Sequence, residues 1–87
     1  MYIATFEAKW AEMFESIEPT VKDRVAKKIR KILEYPHKRH LNRGARFFVD
    51  EVGQNRIIYR IFHKANEVRF YFVGNHKEYE KWLQNYF

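Results

Sequence analysis

The 87-residue chain is long enough for one modest core, and one domain over residues 1–87 is expected. It contains no cysteine, which excludes a disulfide-stapled scaffold and a thiolate zinc site. No apolar stretch approaches the roughly 20 residues of a spanning helix, and nothing at the N-terminus reads as a signal peptide, so a reducing cytoplasm and no membrane partner are expected. The formal net charge of +6 is unevenly placed. Lys22 to Arg46 holds ten Lys or Arg against only Asp23 and Glu34, while the rest of the chain is slightly acidic. Such a region suits a polyanion, either nucleic acid or an acidic protein, although charge runs also form plain solvated faces.

Residues 1–4, MYIA, read as a first strand. Phe6, Trp10, Met13, Phe14 and Ile17 then form one helical stripe, with Thr5 as its N-cap. A second helix follows in EPTVKDRVAKKIRKILEYP. Pro19 suits its first turn, Val21, Val25, Ile29, Ile32 and Leu33 form its buried stripe, and Pro36 stops it. The short link between the two predicts a helical hairpin. HKRHLNRG reads as a polar loop. ARFFVDEV, RIIYRIFH and EVRFYFVG, separated by GQN and KAN, predict three strands of an antiparallel meander. Gly74 is expected to turn the chain out of the sheet. A last helix, NHKEYEKWLQNYF, carries Tyr79, Trp82, Leu83, Tyr86 and Phe87 on one face, and Asn75 with Glu78 resembles a capping box. The fold class expected is α+β: a small twisted antiparallel sheet of about four strands, an N-terminal helical hairpin and a C-terminal helix.

Candidate chemistry gathers near the end of the chain. Alternation in RIIYRIF puts Ile57, Tyr59 and Ile61 on one face of the sheet and Arg56, Ile58, Arg60 and Phe62 on the other. Two arginines on one strand face suit either ion pairs with Asp50 or Glu51 across the hairpin or an anion. His76 falls in the first helical turn after a strand, where free backbone N–H groups attract anions. Arg, His and Tyr beside a basic region suit RNA cleavage. Histidine moves protons near neutral pH, arginine grips phosphate with a forked geometry, and tyrosine stacks on bases. His37 and His40 lack the partners of a metal site, His63 reads as an exposed strand-end residue, and no phosphate-binding glycine loop or serine triad is present. Neither metal nor cofactor is expected.

NRIIYRIF and FVGNHKEYEKWL carry a resemblance. The first is similar to the "yRiiY" strand, and the second to the "fvGtHaeYdk" ending, of the RelE/ParE superfamily of bacterial and archaeal toxins, in particular its RelE, YoeB and HigB types. The resemblance spans nearly the whole chain in element order. It implies a fold similar to microbial ribonucleases, and a messenger-RNA endonuclease that acts in the ribosomal A site and is held inactive by an antitoxin wrapped around it. Carried over by position, Arg56 matches the arginine that contacts the scissile phosphate. His76 stands where histidine or arginine acts near the leaving group, and Tyr79 matches the tyrosine of the ending. Lys38, Arg39, Arg43, Arg46, Arg60 and Lys77 match the family's general use of cations for RNA. The chain departs from RelE in lacking two lysines on the preceding strand, where apolar or acidic residues stand, with Val49 and Glu51 nearby; some relatives use a glutamate as base, and the resemblance implies Glu51 as the candidate for that role. The partners implied are a cognate antitoxin, the ribosome and mRNA. Two alternatives stay open: a ParE-like inhibitor that binds DNA gyrase without nuclease chemistry, and a repurposed RNA-binding module.

Overall fold

The computed structural model describes residues 1–35, 39–41 and 44–86, with side chains described for 1–35 and 47–85. In chain order the elements are β1 (Ile3–Phe6), α1 (Trp10–Glu15), α2 (Pro19–Glu34), β2 (Arg39–Leu41), β3 (Gly44–Val52), β4 (Asn55–Phe62), a 3₁₀ turn at His63–Ala65, β5 (Glu67–Asn75) and α3 (His76–Tyr86). They build one five-stranded sheet in the order β1-β5-β4-β3-β2.

The antiparallel meander forms the middle of that sheet, as alternation predicts. Val52 pairs with Asn55, which leaves a two-residue loop at Gly53–Gln54. Gly53 has φ 59°, a left-handed torsion that glycine adopts without the Cβ clash of other residues. The turn from β4 to β5 ends on Asn66, also left-handed at φ 55°. Asparagine tolerates that region better than most residues, and its side-chain amide donates to the distant Met1 carbonyl at 3.1 Å, tying the turn to the N-terminus.

The sheet is mixed rather than wholly antiparallel, because β1 lies parallel to β5, with Ile3 beside Glu67 and Phe6 beside Phe70. The loop expected at residues 37–44 also holds a fifth, three-residue strand, β2, paired with β3. The first helix begins at Trp10, not at Thr5. Pairing with β5 outcompetes helix formation over residues 3–6, and the Glu7 N–H goes on to donate to the Phe70 carbonyl at 2.9 Å. Thr5 is therefore a strand residue whose hydroxyl donates to Glu67 across the β1–β5 pair, and no side-chain hydrogen bond caps α1 at Lys9. α2 agrees with its sequence limits. Pro19 opens it, and Tyr35 leaves helical torsions ahead of Pro36.

Two clusters of buried side chains lie on opposite faces of the sheet. On one, Trp10, Val25 and Ile32 from the first two helices pack on Val52, Ile57, Tyr59, Val68, Phe70 and Val73. On the other, Tyr79 and Leu83 of α3 pack on Phe47, Ile58, Tyr71 and Phe72. A β-bulge lets β5 serve both. Ile58 pairs with Phe72 and Tyr59 with Phe70, so Tyr71 is an extra residue without a counterpart on β4. Tyr71 and Phe72 consequently face α3 together, and Val73 returns to the α1–α2 side.

Tyr59 is fully buried and stacks 5.8 Å from Phe48. Its hydroxyl donates to Asp50 at 3.3 Å. Burial first, and then the Asp50 charge and hydrogen bond, push the phenol pKa far up, so it remains a neutral donor. Among the described residues no helix is long and apolar enough to cross a membrane.

Phe70 is the hinge of the first cluster. Its ring lies 5.5 to 5.7 Å from those of Phe6, Trp10 and Tyr59. Replacing Phe70 with Ala is expected to destabilise the fold by about 3–5 kcal/mol, read as a lower midpoint in urea denaturation.

Candidate functional site

Arg56, on the α3 side of β4, is the centre of the grouping. It pairs with Glu51 on β3 and with Gly74 on β5, so these three positions form a row across the sheet. The Glu51 carboxylate approaches the Arg56 Nε at 4.0 Å, across the hairpin as the sequence predicts. The Arg56 guanidinium lies 4.7 Å from the centre of the Tyr79 ring. Such a stack is worth about 0.5–2 kcal/mol, depending on how far it is desolvated. A ring face consumes none of the guanidinium N–H donors. Arg56 is thus held in place while its side chain keeps 30% of its surface open.

α3 starts with a reciprocal cap. The Asn75 N–H donates to Glu78 Oε1 at 2.9 Å, and the Glu78 N–H donates to Asn75 Oδ1 at 2.9 Å. This is the capping box in full, and it fixes the direction in which the first turn leaves the sheet. Gly74 is needed here for space rather than for a turn. It remains within β5, and a Cβ at this position would lie 2.7 Å from Glu78 Oε1 and 2.9 Å from the Phe72 ring.

His76, the first residue of α3, is exposed. Its Nε2 lies 3.3 Å from Glu80 Oε1, one turn on, and its ring is 6.2 Å from that of Tyr79. Tyr79 therefore touches both Arg56 and His76. It is only 6% exposed and also packs on Phe72, so its ring serves the protein rather than standing open to stack on a base. The structure thus brings Arg56, His76, Tyr79 and Glu51 into one neighbourhood. Glu80 was missed by the sequence reading, although the spacing of i and i+4 from His76 on a helix was there to find it.

The other cations divide. Lys77 is exposed in the first turn of α3. Arg60 lies 4.9 Å from the centre of Phe62 and 5.7 Å from that of Phe47, on the same sheet face as Arg56 but four residues along. Its direct neighbour on β5 is Arg69, which lies 5.0 Å from the centre of the same Phe62 ring. Lys38 and Arg43 lie outside the described residues, as do His37 and the side chains of Arg39, His40 and Arg46. Among the described residues no three His, Asp or Glu side chains gather as a metal site. His63 is exposed and shares a 2.7 Å hydrogen bond with the Tyr2 hydroxyl.

No protein-family model matches the sequence, and no curated protein does. Solved structures do match. The isolated Escherichia coli RelE toxin aligns over 100% of both chains with a TM-score of 0.79 at 17% identity. The toxin in the intact E. coli RelBE toxin–antitoxin complex aligns over 86% of this chain and 96% of its own, at 0.79 and 19% identity. The RelBE2 complex from Mycobacterium tuberculosis aligns over 86% and 98%, at 0.70 and 18% identity. The chain has the RelE fold. Within it, the resemblance of NRIIYRIF and FVGNHKEYEKWL falls on β4 and on the junction of β5 with α3, which are the two elements that build the grouping around Arg56.

Gly74→Ala tests how tightly the RelE-fold junction is packed. The added methyl must displace the Phe72 ring or the capping carboxylate, and a loss of about 1–3 kcal/mol is expected, seen as a lower thermal midpoint. Glu78→Ala removes one of the two obstacles, so Gly74→Ala should cost less in that background.

Proposed function

We propose that the protein is the toxin of a type II toxin–antitoxin system, and that it cleaves mRNA in the ribosomal A site as an endoribonuclease. The observation that carries this reading is the meeting of Arg56 and His76 at the Tyr79 ring. It supplies a forked cation for a phosphate and a proton-transfer group beside it. The relatives of like fold include a RelE toxin both alone and with its antitoxin, which supports a partner of that kind here.

The reaction is the attack of a ribose 2′-oxygen on the adjacent phosphorus. A bond forms from the 2′-oxygen to phosphorus, the bond from phosphorus to the 5′-oxygen breaks, and a 2′,3′-cyclic phosphate and a 5′-hydroxyl remain. Arg56 donates to the non-bridging oxygens and stabilises the charge that grows in the transition state. His76 protonates the departing 5′-oxygen. Glu80 Oε1, 3.3 Å from the His76 Nε2, is placed to orient the ring. Glu51, next to Arg56, is the carboxylate placed to take the 2′-proton. Tyr79 holds Arg56 and borders His76. These side chains fill each role without a metal ion. Arg60, Lys77, Lys38, Arg39, Arg43 and Arg46 bind RNA backbone, so association should weaken as salt rises. A cognate antitoxin would stop the reaction by covering this face.

Two substitutions test the assignment in translating ribosomes, with cleavage read by primer extension. Arg56→Lys keeps the charge but loses the fork, so a large fall in rate is expected with folding little changed. His76→Ala should slow single-turnover cleavage by roughly 10²–10⁴-fold and flatten its pH dependence near neutrality, while ribosome association persists. Wild-type rates in both variants would remove the mechanism, and intact message together with blocked supercoiling would point to gyrase instead.

A further inference from the structure

Two clefts meet behind the candidate site, and Arg24 of α2 is common to both. The first, of about 520 Å³, runs between the α1–α2 link, the β3–β4 turn and the start of α3; Arg24, Gln54, Asn55, Asn75 and Glu78 are among its walls. The second, of about 240 Å³, lies between α2 and the same turn and is lined by Arg24, Lys27, Lys28, Lys31 and Glu51 with the turn backbone. The Arg24 guanidinium rests on Gly53. Its Nη1 lies 3.3 Å from where a Cβ on that glycine would sit. Among the described residues no carboxylate is within ion-pair distance of Arg24, whereas Lys22 reaches Glu15 and Lys27 reaches Asp23.

An unneutralised guanidinium fixed against a turn, at the junction of a polar cleft and a basic one, is suited to a phosphodiester. Glu18 and Glu78 also line the first cleft, and Glu78 is already engaged by the Asn75 N–H. The anion therefore belongs at the Arg24 end, where the second cleft sets three lysines against one acid. Gln54, Asn55 and Asn75 add amide groups able to meet the edges of an unpaired base. Glu51, 4.0 Å from Arg56, lines the second cleft, and the Asn75–Glu78 cap of the helix that starts at His76 lines the first, so the clefts reach the edge of the proposed site.

We propose that this pair of clefts is the exit track for the RNA on the 3′ side of the cleaved bond, with its first phosphate on Arg24 and those that follow on Lys27, Lys28 and Lys31. The 3′ direction rests on the reading of the preceding section, since the 5′-oxygen that His76 would protonate belongs to the nucleotide on that side. An acidic protein segment is the competing occupant. The amide-lined wall and the continuity with Arg56 and His76 favour RNA.

The test measures binding of labelled protein to programmed ribosomes whose message carries 2′-O-methyl groups in the A-site codon, so that no cleavage occurs. One message ends at that codon and the other continues beyond it. Wild-type protein should bind the continuing message more tightly. Arg24→Gln should lose about tenfold on the continuing message, with a salt slope shallower by about one, and should bind the truncated message as wild type does. Arg24→Lys should recover part of the loss, and thermal unfolding confirms that both variants fold. An equal loss on the two messages, or none, overturns the track. Unchanged ribosome binding with lost binding to a polyglutamate peptide also overturns it and gives the clefts to an acidic protein. Cleavage of unmodified message by wild-type protein is scored separately. Its absence would sink the nuclease reading, while the binding comparison would still decide whether RNA lies here.

Discussion

The bulge at Tyr71 is the constraint on which the rest of the arrangement depends. In a regular strand Val68, Phe70, Phe72 and Gly74 would share one face. The extra residue reverses that parity halfway along β5. Val68 and Phe70 can then complete the core under α1 and α2, while Phe72 turns to the other side and becomes part of the floor for α3. Gly74 arrives on the same face as Arg56, its partner on β4. The helix that follows is delivered to the opposite side of the sheet from the first two, and so Tyr79 can cover Arg56.

This explains what was legible in the sequence and what was not. Local periods were legible. The alternation of RIIYRIF gave the face of Arg56, the spacing of three and four gave α2 and α3, and Asn75 with Glu78 gave the cap. β1 was not legible in its full extent, because Thr5 and Phe6 fit a helical stripe equally well and are held in the sheet by residues more than 60 positions away. β2 is three residues, Arg39–Leu41, too few to show a period of their own, and it is extended where it pairs with β3. EVRFYFVG was legible as a strand, but the burial of Phe70 to Val73 on both faces and the bulge among them had no local signal. At the candidate site the residues could be named, yet the Arg56–Tyr79 stack joins β4 to α3 and needed the three-dimensional register. Arg24 went unnoticed for the same reason. On paper it is one of ten cations in a basic segment, and only the β3–β4 turn sets it apart.

The sheet also carries a charge conflict that it resolves with rings. Arg60 and Arg69 are direct neighbours on adjacent strands, an opposition that normally destabilises a pair. Phe62 lies against both, and its electron-rich face offsets part of the repulsion. Arg69 is further neutralised by Glu67, whose carboxylate it meets at 3.0 Å. The hydrogen bond from Thr5 is the main cause that holds the Glu67 pKa below its ordinary value, with Arg69 assisting against the opposing effect of burial. The charged form of Glu67 thus ties β1 to β5 at the same point where it quenches Arg69.

Three arginines on one framework therefore have different capacities for an outside anion. Arg69 shares a hydrogen-bonded carboxylate, so a phosphate there would first have to displace Glu67. Arg56 is steadied by a neutral ring, and its carboxylate neighbour stands at 4.0 Å, too far for a good hydrogen bond. Arg24 is steadied by the backbone of a glycine turn. A cation that is positioned without being neutralised keeps most of its donors for a ligand and loses little side-chain entropy when one arrives. By that criterion Arg56 and Arg24, among the described residues, keep positive charge open to a ligand, and the capped turn at Asn75 lies beside both.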